Sequence, residues 1–208
     1  MRLFSESLQE GGAVPERCAL AARDAHGHLG YGGNRSPHLA WEGVPPGAGS
    51  LVIVAHDPDA PACTRDIDLA DREVPAAAAR RDRFHWLLVD LDPTLGELAE
   101  GALADGVPPV PDGGGAPRGR EGLNDVIDRL AGSAGAAQCQ GGYAGPFPPW
   151  NDAVPHRFTV TCLALDEPQA PIADPFRGPD LLARIRRHVL AAARLTARYS
   201  LNPRVPAC

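Results

Sequence analysis

Apolar residues concentrate in three stretches of the chain, Ser50–His56 (SLVIVAH), Phe84–Leu91 (FHWLLVDL) and His156–Leu165 (HRFTVTCLAL). Each is rich in β-branched, aromatic or leucine residues and is bounded by Pro, Gly or Asp, which predicts a strand. The first two are nearly continuous apolar runs, the pattern of strands covered on both faces. In the third, Phe158, Val160, Cys162 and Ala164 fall on one side, as period-two geometry requires. Weaker strands are predicted near Arg17–Ala22 and Leu39–Trp41. Toward the C-terminus, Leu181, Leu182, Ile185 and Val189 recur at helical spacing behind Gly178-Pro179-Asp180, a proline and an acid that suit a helix start. A helix to about His188 follows from this pattern. Beyond it, Ala193, Leu195, Ala197 and Tyr199 alternate with Arg194, Thr196, Arg198 and Ser200, which predicts a final strand against the helix propensity of alanine and arginine.

The punctuation between these runs agrees with a mainly β fold. Gly 23 and Pro 22 fall between the apolar stretches rather than inside long helical patterns. Ala62–Arg83 and Ala104–Gly142 are long, polar and rich in glycine, proline or alanine, and read as surface excursions. A short helical turn is predicted at Leu123–Leu130. With 208 residues the chain suits one domain, spanning 1–208, and a chain of this size buries roughly 70% of its unfolded surface without a metal or disulfide staple.

Charge and cysteines narrow the function classes. The formal net charge of -6 is spread without a basic stripe, so nucleic acid and anionic membranes are not expected partners. Five cysteines, Cys18, Cys63, Cys139, Cys162 and Cys208, occur without C-x-x-C pairs, which argues against a disulfide framework and a zinc site. There is no sustained apolar leader and no stretch of about 18 apolar residues. The expectation is a soluble cytoplasmic protein without membrane insertion.

Candidate chemistry sits where the strong strands begin or end. In HDPDAP, His56–Pro61, two carboxylates two residues apart follow the apolar run Leu51–Ala55, and Pro58 and Pro61 restrict the backbone around them. His85 opens the second strand and His156 the third. Asp57, Asp59, His85 and His156 are therefore expected to converge at one rim of the sheet. The segment Gly141–Asp152 combines glycines with Pro146, Pro148 and Pro149, a rigid wall with few open N–H groups. Trp150 is placed to cover a pocket mouth. Trp41, Phe84 and Trp86 read as core, and Arg80, Arg81 and Arg83 as a solvated loop face. No G-x-S-x-G elbow occurs, no cysteine lies beside a histidine in a recognisable motif, and Cys63 is the one thiol expected near the pocket.

The ordered strings SPHLAWEGVPPG (Ser36–Gly47), HDPDAP, FHWLLVDL, GLND (Gly122–Asp125), GPFPPWND (Gly145–Asp152) and HRFTVTCLALD (His156–Asp166) resemble the phosphatidylethanolamine-binding protein family, in particular its bacterial Raf-kinase-inhibitor-like branch. The resemblance runs from about Ser36 to Tyr199. It implies a β-sandwich of two antiparallel sheets with a short C-terminal helix and peripheral helical turns. It also implies a small pocket for phosphate-like anions, to which Asp57, Asp59, His85, Gly145, Pro148, Pro149 and His156 correspond by position. The family's usual tyrosine two residues after the second histidine is Phe158 here, so a phenolic donor is missing. Phe147 and Cys162 stand where the bacterial branch commonly has cysteine and tyrosine.

The function expected on these grounds is binding of a phosphate-bearing small molecule, or of a phosphorylated or acidic group on a partner protein that the chain regulates or inhibits. The resemblance implies no metal or other cofactor, and bacterial members suggest a homodimer. Asp57 and Asp59 are expected to hold the His85 and His156 rings, raise their pKa and keep imidazolium N–H groups aimed at the anion. Binding would then weaken between about pH 5 and 8. The alternative is a hydrolase using the same Asp/His pocket, either with a divalent metal or by acid/base catalysis.

Overall fold

The computed structural model describes residues 1–106, 119–126 and 141–208. Ten strands appear among them: β1 (Arg2–Phe4), β2 (Ala21–Arg23), β3 (Leu29–Tyr31), β4 (Leu39–Glu42), β5 (Ser50–Pro61), β6 (Arg80–Leu91), β7 (Glu97–Leu98), β8 (Arg120–Glu121), β9 (His156–Leu165) and β10 (Val189–Tyr199). One α-helix, α1 (Gly178–Ile185), and a 3₁₀ turn at Glu16–Cys18 join them among the described residues. A five-stranded sheet has the order β10-β9-β5-β6-β8, a three-stranded sheet β1-β4-β7, and β2 pairs with β3. Every strand pair is antiparallel. The expected two-sheet sandwich is thus present, with a small third sheet beside it.

Strand β5 lies between β6 and β9 and is buried on both faces, which is why its sequence reads as an apolar run. Leu51, Ile53 and Ala55 point into a core shared with Leu39 and Trp41 of the three-stranded sheet. Val52 and Val54 point the other way, onto Leu181 and Ile185 of α1 and Phe176 before it. Each such aliphatic side chain stabilises the fold by roughly 1.5–3 kcal/mol when fully buried. The side of β9 carrying Phe158, Val160, Cys162 and Ala164 faces the first core, as its alternation predicts.

The helix is shorter than its apolar spacing suggests. Pro179 and Asp180 occupy its first turn, Leu181 and Ile185 are fully buried, and Leu182 faces out. It ends at Ile185, so Val189 belongs to β10. A Cβ on Gly178 would stand 2.3 Å from the Phe84 ring, so only glycine lets the helix start so close to the sheet. After it, β10 pairs with β9 from Val189↔Leu165 to Tyr199↔His156. Leu195, Ala197 and Tyr199 enter the core, and this pairing overrides the helical leaning of the alanines and arginines.

Two strands extend further than their apolar runs. HDPDAP continues β5 rather than following it, and Arg80–Arg83 begin β6, which puts His85 inside that strand rather than at its start. The polar halves pair as Asp57↔Arg83, Ala60↔Arg81 and Pro61↔Arg80, with a register shift between Asp57 and Ala60 that accommodates Pro58. Ala62–Ala79 remains a connecting excursion, tied down where buried Val74 bridges Asp152. GLND runs beside β6, with Gly122 N–H donating to Leu87 O and Asp125 N–H to Phe84 O. Leu123–Val126 carries no helix. The remainder of the turn expected at Leu123–Leu130 lies outside the described residues, as does Cys139.

Candidate functional site

The extended polar ends of β5 and β6 and the start of β9 meet at one rim, with the Gly141–Asp152 segment laid over them. His85 is 1% exposed on β6. Its backbone carbonyl accepts from Ala144 N–H at 3.0 Å. Its Nδ1 lies 2.9 Å from the carbonyl oxygen of Ala144 and 3.1 Å from that of Gly145. Both partners are acceptors only, so Nδ1 carries the hydrogen and donates to them. The Phe158 ring stands edge-on to the imidazole at 5.5 Å. Burial pushes the His85 pKa down to about 4, against smaller upward pulls from Asp57 and from the Ala144 and Gly145 carbonyls, while the Arg83 charge adds to the fall.

The loop that seats His85 is fastened from below. Gly145 N–H donates to Asn34 Oδ1 at 2.9 Å, and Leu20 N–H donates to Pro146 O at 3.2 Å. A Cβ on Gly145 would lie 2.2 Å from Cys18 O, so the glycine is required by packing against the 18–20 backbone. Its N–H is spent inside the fold. Tyr143 donates its hydroxyl to Cys18 O at 2.6 Å, and its ring packs edge-on against Trp86 and Phe158.

His156, 2% exposed at the head of β9, has different company. Nδ1–H donates to Asp57 Oδ2 at 2.6 Å and Nε2–H to Asp152 Oδ2 at 3.0 Å. Burial opposes the charged ring, but the two carboxylates overcome it and hold the pKa up at about 9. Asp152 in turn accepts from both terminal nitrogens of Arg80, at 2.6 and 3.0 Å. The second oxygen of Asp57 caps the D-P-D turn by accepting Asp59 N–H at 2.8 Å. Asp59 holds neither histidine: it accepts from the Arg157 backbone N–H at 2.9 Å and from its guanidinium at 2.9 and 2.8 Å. Burial would raise the Asp59 pKa, and the Arg157 bonds keep it below the usual carboxylate range.

The profile of the phosphatidylethanolamine-binding protein family matches residues 4–200 of this chain. The chain belongs to that family. UPF0098 protein YbhB of Escherichia coli is 29% identical over 96% of this chain and 100% of its own length. A UPF0098 protein of Methanothermobacter thermautotrophicus is 29% identical, with 96% of this chain and 98% of the relative covered. Among solved structures, Escherichia coli YbcL, described as a member of the mammalian family, superposes with a TM-score of 0.68 at 23% identity, covering 96% of this chain and 97% of YbcL. The CT736 protein of Chlamydia trachomatis gives 0.65 at 24% identity, with 96% of each chain covered. These two likenesses establish the fold.

Within this family member the seven positions singled out from sequence divide into distinct roles. Asp57 and His156 touch. His85 is seated by Gly145 and its neighbour Ala144, while Asp59 turns to Arg157. Pro149 O accepts Asp152 N–H at 3.2 Å, fixing the carboxylate beside His156. Pro148, with Phe147, Trp150 and Tyr31, lines a largely apolar cleft of about 400 Å³. Asp152 and Arg80 are missed by motif reading, although Asp152 stands four residues before His156. Arg80, Arg81 and Arg83 are strand residues rather than a loop face, and Arg83 is buried at 8% exposure. Asn34 gave no sequence signal beyond its place before the Ser36–Gly47 string.

Two expected chemistries change in this light. The carboxylates do not lift both histidines above their ordinary value: no carboxylate bonds to the His85 ring, and burial outweighs the pull of Asp57 on it. His156 is charged, yet Asp57 and Asp152 occupy both of its N–H groups. Four cysteines among the described residues are free thiols. Burial pushes Cys18 up to about 11 and Cys162 to about 12, so neither is a thiolate near neutrality, and Cys63 is an exposed loop residue. Among the described residues, three metal-type donors gather only at exposed Asp166 and Glu167 with half-buried His188. No described helix is long and apolar enough to cross a membrane.

Proposed function

We propose that this protein binds a small phosphate-bearing molecule at His85, without chemical conversion. The observation that carries this reading is the state of the His85 ring. It is almost wholly buried and locked through Nδ1, while Nε2 has no hydrogen-bond partner among the described residues. Nor is Nε2 one of the polar atoms sealed from solvent without a partner. A buried ring fixed through one nitrogen leaves the other to meet a ligand. The paired charges around it balance, with Arg80, Arg157 and the His156 imidazolium against Asp57, Asp59 and Asp152, so these carboxylates leave no uncompensated negative charge facing an anion.

Binding is favoured over hydrolysis by the same bonds. Asp57 and Asp152 grip opposite nitrogens of His156, so they do not converge on a metal or a water from one side. The imidazolium has no free N–H to act as an acid and no lone pair to act as a base. Titration calorimetry with phenyl phosphate tests the reading. The wild-type chain binds it, and His85→Ala weakens binding at least about tenfold, which is about 1.4 kcal/mol, while the thermal transition stays cooperative. Equal affinity of the two proteins would remove His85 from the site, and turnover of phenyl phosphate to phenol would replace binding with catalysis.

A further inference from the structure

The open nitrogen of His85 is an acceptor. Ala144 O and Gly145 O can only accept, so they fix the single hydrogen of the neutral ring on Nδ1 and leave a lone pair on Nε2. A fully ionised phosphate group would set a lone pair against a lone pair there. We infer that the pocket takes a phosphomonoester as its singly protonated monoanion, whose P–O–H donates to His85 Nε2. This rests on the phosphate reading above and adds to it the protonation state that is selected.

Protonating the ring instead is the competing route, and burial opposes it. Asp57 of β5 pulls toward the charged form, but Arg83 on its own strand pushes against it, and the nearby carboxylates are already engaged by His156, Arg80 and Arg157. Phe158 of β9 presents an apolar ring edge, and the Ala144 and Gly145 carbonyls, which like Asp57 favour the charged form, do not offset the burial. With the ring titrating at about 4, supplying the proton from His85 at about pH 5.5 reduces binding roughly thirtyfold. Neither of these two histidines titrates between pH 5 and 8, since His85 stands at about 4 and His156 at about 9. The pH dependence in that window therefore belongs to the ligand, whose second ionisation lies at about 6.

Phenyl phosphate and phenyl sulfate separate these possibilities, because at about pH 5.5 both are largely monoanions of the same shape and only the phosphate carries a proton. By calorimetry phenyl phosphate binds at least about tenfold more tightly than phenyl sulfate, and its affinity falls about tenfold per pH unit above about 6. Equal affinity for the two ligands, or tighter phosphate binding above that pH, overturns the inference while leaving the anion site standing. Binding of neither overturns the phosphate reading and this one with it. Nitrogen-15 spectra of the unliganded protein give an independent readout. They are expected to show His85 protonated on Nδ1 and bare on Nε2, and a hydrogen on Nε2 near neutral pH overturns the inference whatever the ligands do.

Discussion

His85 on β6 and His156 on β9 flank the same central strand and are equally buried, at 1% and 2% exposure. Their proton affinities nevertheless move in opposite directions, to about 4 and about 9. Desolvation penalises the charged form of both rings. The difference lies in what meets the ring nitrogens: two neutral carbonyls on one atom of His85, two carboxylates on opposite atoms of His156. Burial alone does not set the charge of a histidine; the partners it is buried with decide the sign. One histidine is consequently a cation held inside an ionic network and the other a neutral ring. A reading that makes both rings imidazoliums misses this difference.

The largest test of this contrast removes the centre of the charged network. Asp152→Ala leaves Arg80 and His156 without their shared carboxylate, and loss of one partner from a buried ionic cluster costs about 3–5 kcal/mol. Urea unfolding followed by tryptophan fluorescence measures it. A loss under about 1 kcal/mol would mean that the His156 cluster is solvated rather than structural.

A pH series comes next, with an expected amplitude of a few kcal/mol on each side. His156 has a folded pKa above its unfolded value of about 6.5, so its stabilisation is complete below that pH and is lost as pH rises toward about 9. His85 is the reverse: its folded pKa is depressed, so its contribution is complete above about 6.5 and is lost as pH falls toward about 4. Asp59 and Asp152, both held below the usual carboxylate range, add to the acid limb. Unfolding free energy should therefore peak near neutral to slightly acid pH. In His156→Gln the alkaline decline disappears and the acid limb remains; persistence of the alkaline decline would assign it to another group.

Smaller effects distinguish the seat of His85 from the rim. Gly145→Ala drives a Cβ into the Cys18 carbonyl and displaces the loop that orients the ring, with a cost of about 1–3 kcal/mol and weaker phenyl phosphate binding. An unchanged affinity would show that the seat tolerates movement. Arg157→Ala breaks a bidentate pair with Asp59 whose arginine is half exposed, and costs less than about 1 kcal/mol in thermal unfolding. A larger loss would place Asp59 among the buried network with Asp57.

Much of the scaffold is written locally. The apolar runs of β5, β6 and β9, the proline-led start of α1 and the period-two pattern of β10 are short-range signals, because burial on one face or two imposes its period directly on the chain. The family strings likewise identify Asp57, His85, Gly145 and His156 without reference to their neighbours. What the sequence did not disclose is which polar groups pair. Arg80 and Arg83 looked like loop because strand propensity fades where side chains turn polar, and only registration against Asp57–Pro61 makes them β6.

The order of residues alone marks this chain as a mainly β member of the phosphatidylethanolamine-binding protein family with two aspartates and two histidines in or beside its strong strands. Which histidine is charged follows from contacts made across the fold. A pKa depends on atoms within a few ångströms. Those atoms come from Asp57, Asp152, Ala144 and Gly145, brought to the two rings by strand register and by the fastening of the 141–152 segment.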